Sequence, residues 1–291
     1  MSKIVSMDAH NHWVTSSNIS ARTAKEGVEK AQRVLGEDGI VGLIGYDSSP
    51  TKHDKRWSLF RKRVCYDTID IGNGVYVPEK KIFVWHGQEV QTAEGFDVLV
   101  LGNRPKDHLC HGQTLKETLH RAKEVKAITI NTSPAHKGGT REYLEKNPGL
   151  IEGFDGVETW NAEASWAAFG KYPEANKRAK EFYEKYASKK GLFEVAFSDG
   201  HSLREIGLSY TPLELREPYT NYVRDPERLN DDMLKSLKMQ KENRRERTNT
   251  LGTMQHAFYL GILIAANKLG IEENEQLAPM IEKITLGNIR I

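Results

Sequence analysis

Seven short apolar runs, most of them separated by stretches of helical character, constrain this chain more than any other feature. The first opens at Lys3, and the others cover 40–46, 81–86 continuing towards 90, 96–101, 127–132, 156–160 and 193–198. Each is a compact apolar block rather than a clean alternation, as expected of strands covered on both faces. Helices are expected at 21–35, 114–126, 140–146, 162–169 and 173–190, so the pattern predicts a parallel sheet wrapped in helices. A chain of 291 residues with 38% hydrophobic content can bury one large core, and a closed α/β barrel fits the alternation better than an open sheet. No Gly-x-Gly-x-x-Gly follows the first run, which removes the main support for dinucleotide binding.

Beyond Glu205 the composition shifts. Glu217-Pro218 and Asp225-Pro226 mark turns, 227–249 is a strongly charged helix candidate, and 252–269 carries Phe258, Leu260, Ile262, Leu263 and Ile264. The expected division is a barrel over 1–205 and a helical C-terminal extension over 206–291 that packs on the barrel or on an oligomer partner. A formal net charge of +2 does not by itself point to nucleic acid. Cys65 and Cys110 form neither a disulfide framework nor a thiolate zinc motif. No leader-like or membrane-length apolar segment is evident, so a cytoplasmic protein without membrane contact is expected.

In α/β barrels chemistry gathers at the C-terminal ends of the strands. Here those ends carry His10 and His12; Asp47; His86 and Glu89; His136; Glu158 and Asn161; Asp199 and His201. Metal-ligand residue types recur at nearly every end, and the His-x-His spacing lets two imidazoles on an extended segment address one point. His86 could face either the site or the core.

These residues resemble the PHP (polymerase and histidinol phosphatase) metallophosphoesterases. The matches are His10-x-His12, Gly87-Gln88-Glu89 for the family's Gly-x-Glu, Glu158-Thr159-Trp160-Asn161 for its Glu-x-x-Asn strand, and Asp199-Gly200-His201 for its closing Asp-x-His, over roughly 3–205. The resemblance implies a distorted (β/α)7 TIM-like barrel and a metal-dependent hydrolase. Its substrate would be a phosphate ester, whether a small phosphomonoester, a nucleotide or a nucleic-acid end, attacked by a metal-bound hydroxide. Two departures stand out: Gly45-Tyr46-Asp47 replaces the usual Thr-Asp-His, and Ser133-Pro134 replaces the usual His-Pro, with His136 three residues beyond Ser133.

The implied metal set is His10, His12, Glu89 and Asp199, with His136, Asp47, His201 and Glu158 as further candidates. It would hold one to three divalent ions, with Mn, Zn or Fe suiting mixed imidazole and carboxylate donors. Glu89 could bridge to a second ion on His136 and His111, and Asp199, His201 and Glu89 are the catalytic candidates. Glu158 could equally form an internal salt bridge, and His201 could support a ligand instead of being one. Lys137, Gly138, Gly139 and Arg141, at the start of an expected helix, are the candidate anion cradle. The basic stretch 52–63, interleaved with Trp57 and Phe60, is either a solvated helix face or a lid that draws polyanions and stacks on a base. Two other readings stay open. One is a metal-dependent amidohydrolase, which Ser133 and Glu158 fit poorly, and the other is a degenerate barrel that binds without turnover.

Overall fold

The computed structural model describes residues 2–13, 21–45, 50–132, 134–135, 139–164 and 174–239, apart from the side chains of 50–56 and of 223, 226 and 227. Asp47, His136, Lys137, Gly138 and the expected helix over 252–269 lie outside the described residues, as do 165–169 of the expected helix over 162–169. The elements follow in the order β1 (Lys3–Asp8), α1 (Ala21–Leu35), β2 (Gly39–Gly45), α2 (Pro50–Arg63), β3 (Ile69–Asp70), β4 (Gly74–Val77), β5 (Ile82–Gln91) and β6 (Asp97–Leu101). They continue with α3 (Leu115–Glu124), β7 (Ile128–Asn131), α4 (Arg141–Lys146), β8 (Gly156–Asn161), α5 (Ala175–Phe182), β9 (Phe193–Phe197), β10 (Thr211–Leu215), α6 (Tyr219–Arg224) and α7 (Pro226–Met239).

The strands form one sheet in the order β10-β1-β2-β5-β6-β7-β8-β9, with the β3–β4 hairpin laid against the first half of β5. This sheet curls into a nearly closed barrel. After β1 the backbone bridges to Gly200, with His12 N donating to Gly200 O at 2.7 Å. On the next strand Thr211 Oγ1 donates to Ala196 O at 3.1 Å and accepts from Ala196 N at 2.9 Å.

The parallel expectation needs correction. β6 runs antiparallel to both β5 and β7, and β10 runs antiparallel to β1. Only five residues separate β5 from β6, too few for the crossover that a parallel pair requires. β10 and the β3–β4 hairpin were not anticipated. Pro212 inside β10 is tolerated because that strand is paired in a ladder on one side.

Side-chain alternation divides the core into layers. Val5, Met7, Ile40, Ile44, Phe83, Trp85, Leu99, Ile130, Val195 and Phe197 fill the barrel, while Tyr222, Leu229, Met233 and Leu237 from α6 and α7 join this cluster from below. Outside the sheet, α1 and α2 bury Ala24, Val28, Trp57 and Phe60 against Val41 and Val84. Trp57 and Phe60 are stacked at 5.7 Å, and Phe60 meets Trp13 edge-on at the same separation. Of the two readings of this stretch, burial of both rings agrees with a helix face whose aromatics pack inward, and not with rings that stack on a base.

Candidate metal centre

The segment that follows β1 is held rigidly before it supplies any ligand. Asn11 Nδ2 donates to Asp8 O at 2.9 Å, Trp13 Nε1 donates to Gly42 O at 3.1 Å, and Ile44 N donates to Asn11 O at 2.9 Å. Gly42 is required there, because a Cβ at this position would lie 1.7 Å from the carbonyl oxygen of Ala9. Where the barrel closes, the buried Asp8 carboxylate accepts from Ser198 N at 2.9 Å and from Gly207 N at 2.7 Å. It fixes both ends of the loop that carries Asp199 and His201. Burial pushes the Asp8 carboxyl up to about 6 despite these hydrogen bonds.

Four side chains meet at the mouth. His10 Nε2 lies 3.3 Å from Asp199 Oδ1 and 3.6 Å from Glu89 Oε2, while His12 Nε2 lies 3.5 and 3.3 Å from the same two oxygens. Neighbouring ligands of one divalent ion, each about 2.0–2.3 Å from it, stand roughly 2.8–3.8 Å apart. The contacts fall in that range. His10 Nε2, Glu89 Oε2 and Asp199 Oδ1 are also buried without a hydrogen bond, a costly arrangement unless a cation satisfies them. The donor set therefore fits a divalent ion. Among the described residues, ligand atoms lie within 4.8 Å of one another in two trios: His10, His12 and Glu89, and His12, Asp199 and His201.

Around these atoms lies a supporting ring. Glu158 Oε1 is 3.0 Å from His10 Nδ1, and Glu158 Oε2 accepts from Asn161 Nδ2 at 3.1 Å. This places Glu158 behind His10 and corrects its reading as a direct ligand; a carboxylate in this position fixes the tautomer and aim of a ligating histidine. Asn161 Nδ2 also donates to Asp199 Oδ2 at 2.9 Å, leaving Oδ1 turned to the histidines. Residues three apart on a regular strand face opposite sides, but the register of β8 shifts between Glu158 and Trp160. That bulge brings Glu158 and Asn161 to one face. Asp199 adopts a left-handed φ of 51°, which a non-glycine residue holds only when its surroundings fix it.

Charge follows from this crowding. Burial opposes protonation of His10, but Asp199, Glu158 and Glu89 outweigh it and hold the ring well above the ordinary histidine value. Burial, with the nearby His201 and His10, takes His12 down to about 4 despite Glu89. For Glu89 and Asp199 the histidines overcome burial and keep both carboxyls well below their usual range. His201 is raised to about 10 against burial by Glu163 and Asp199, and its Nε2 lies 3.3 Å from Glu163 Oε2 and 3.5 Å from Asp199 Oδ1. Burial raises Glu163 to about 7, Asp199 adding to the effect.

The other described sequence candidates make contacts of their own. His86 is on the outer face of β5, 2.7 Å from Asn103 O and edge-on to Trp57. His111 Nδ1 accepts from Gln91 N at 3.4 Å, beside the end of β5. Arg141 was expected in the anion cradle, but its guanidinium donates to Glu145 Oε1 and to the carbonyl of Arg178. An acid four residues along the same helix captures it. Gly139 is described and precedes α4, whose N-cap Thr140 donates its hydroxyl to Asn131 Oδ1 instead of capping the helix.

Glu163 and Asp97 escaped the sequence reading. Glu163 stands two residues past the Glu-x-x-Asn stretch, in a turn where Ala164 N donates to Asn161 Oδ1 at 2.9 Å. Asp97 opens β6, and because β6 is antiparallel its N-terminal end reaches the mouth, where burial, Glu89 and Asp199 raise its carboxyl to about 7.

No family model matches the chain, and neither does any curated protein. Solved structures do match. PsfC from Pseudomonas syringae PB-5123 is 14% identical with a TM-score of 0.57, covering 92% of this chain and 99% of its own. The lesion-specific endonuclease PfuEndoQ from Pyrococcus furiosus is 13% identical with a TM-score of 0.55 over 84% of this chain. Endonuclease Q in complex with a 27-mer duplex substrate, an abasic lesion at its active site, is 14% identical with a TM-score of 0.50 over the same share. This chain spans 57% and 58% of those two endonuclease chains. At such identities the likeness is one of fold.

Proposed function

We propose that this chain is a PHP-like metal-dependent phosphoesterase whose reaction centre is the mouth formed by His10, His12, Glu89 and Asp199. The observation that carries this reading is the convergence of their four ligand atoms at 3.3 to 3.6 Å. Two imidazoles and two carboxylates suit Mn, Fe or Zn. Such an ion supplies Lewis acidity towards a phosphoryl oxygen and makes water acidic enough to ionise near neutrality. The protein's own part is positional: Glu158 aims His10, Asn161 aims Asp199, and Asp8 holds the 198–207 loop in place. Asp97 stands at the same mouth, where burial and the charges of Glu89 and Asp199 raise its carboxyl in the metal-free protein.

For the substrate, a phosphodiester in nucleic acid is favoured, because the fold is shared with a lesion-specific endonuclease and with Endonuclease Q bound to an abasic duplex. The test is elemental analysis of protein purified without chelator, paired with hydrolysis of a phosphomonoester and of a duplex bearing an abasic site. Metal-dependent cleavage of either substrate supports the reading, and turnover of the duplex alone supports the nucleic-acid version. Bound metal without hydrolysis of any phosphate ester would overturn the enzymatic assignment.

A further inference from the structure

The histidines at the mouth do not all address one point. His10 and His12 meet at an interplanar angle of 70°, so a point between them can lie close to both ring planes. His12 and His201, by contrast, are stacked with centroids 4.7 Å apart and planes only 17° from parallel. An imidazole nitrogen directs its lone pair within the ring plane, so a cation bound well by His12 is badly placed for His201. His201 nevertheless has carboxylates at ligand-to-ligand spacing: Glu163 Oε2 at 3.3 Å and Asp199 Oδ1 at 3.5 Å. Asp199 Oδ1 is thus within 3.5 Å of His10, His12 and His201 at once.

We propose that Glu163 and His201 hold a second divalent cation, joined to the first through the shared oxygen Asp199 Oδ1. This rests on the metallohydrolase reading and adds to it a ligand outside the recognised motifs. Glu163 is built into the position: Asn161 Oδ1 fixes the turn that carries it, and the same amide donates to Asp199 Oδ2 and so leaves Oδ1 facing inward. On the other side, the His201 backbone N–H and the Ser202 hydroxyl both donate to Glu205 Oε2, which sets the position of the imidazole. The bridging carboxylate is then Asp199 and not Glu89, the residue the motif reading would assign. Two ions sharing one ligand oxygen come within about 4 Å, a separation suited to gripping one phosphoryl group from two sides.

The experiment uses the full chain, stripped with chelator and reloaded with Mn2+, and reads bound metal by elemental analysis and magnetic coupling by low-temperature electron paramagnetic resonance. Two ions per chain with an exchange-coupled spectrum are expected. In Glu163→Gln, a change of similar shape at a partly exposed turn, one ion should remain, showing the hyperfine pattern of isolated Mn2+. Wild-type protein that takes up a single isolated ion, or a Glu163→Gln variant that keeps two coupled ions, would overturn the second site and leave the first intact. Wild-type protein that binds no ion would overturn the metallohydrolase reading itself.

Discussion

His10 has a carboxylate on either side: Glu158 behind it at Nδ1, and Glu89 and Asp199 in front at Nε2. Replacing Glu158 with Ala should lower metal affinity about 10- to 100-fold by freeing the ring's orientation, as read by competition with a chromogenic chelator. Glu89→Ala should do more, since it removes a donor atom; an equal or smaller loss would argue against ligation by Glu89. Protons report on the same residues. His201 keeps its proton in the metal-free folded protein up to about pH 10, whereas in the unfolded chain it loses it near its ordinary value of about 6.5. The folded state therefore binds more protons in that window, and stability falls as pH rises through it, by an amount on the order of a few kcal/mol. Thermal melts in chelator from pH 6.5 to 10 should show the decline, and His201→Asn should flatten it. A cation competes with these protons, so binding at pH 7 should release protons, at least the one on His10. Calorimetry in buffers of differing ionisation enthalpy measures that release, and binding without it would contradict the charge state assigned to His10.

At the scale of elements, what the sequence revealed followed from strand direction. Where a parallel strand ends at the mouth, the residue types there can be read directly: His10 and His12 follow β1, Asp199 follows β9, and Glu89 lies near the end of β5, but only the PHP-like motifs singled these four out as a set. β6 runs in reverse and delivers Asp97 from its start, so a search of strand ends passes over it. The bulge in β8 was equally hidden, because nothing in Glu158-Thr159-Trp160-Asn161 distinguishes a regular strand from one that gains a residue. Glu163 belongs to a turn whose shape depends on the Asn161 side chain, a contact that no spacing rule encodes. In α2 the basic residues left both a solvated helix face and a nucleic-acid lid open, and Trp57 and Phe60 are buried against Trp13 and His86. Trp57→Ala should accordingly cost about 3–5 kcal/mol of stability by leaving a cavity, as measured by urea unfolding. Unchanged stability together with weaker binding of an oligonucleotide would restore the stacking role.

Across the whole molecule, the proposed ligands His10, His12, Glu89 and Asp199 come from the first, middle and last parts of the barrel. A bound ion should therefore act as a staple, contributing about 2.7 kcal/mol at a free concentration of 100 Kd; a melting temperature indifferent to chelator would argue against binding. Among the described residues no helix is long and apolar enough to cross a membrane. One contact also sets an order in time. Asp8 belongs to the first strand, but the two backbone N–H groups it accepts from belong to Ser198 and Gly207. During synthesis the site cannot assemble until Asp199, about 190 residues after His10, has emerged, so His10, His12 and Glu89 wait for that last carboxylate. Metal capture is then a late event, following the slow closure of long-range contacts. The ion should slow unfolding while leaving the refolding rate unchanged, because interactions absent from the transition state act only on escape from the native state. Stopped-flow refolding with and without Mn2+ reads this directly, and faster refolding would mean that the two ends of the barrel find each other early.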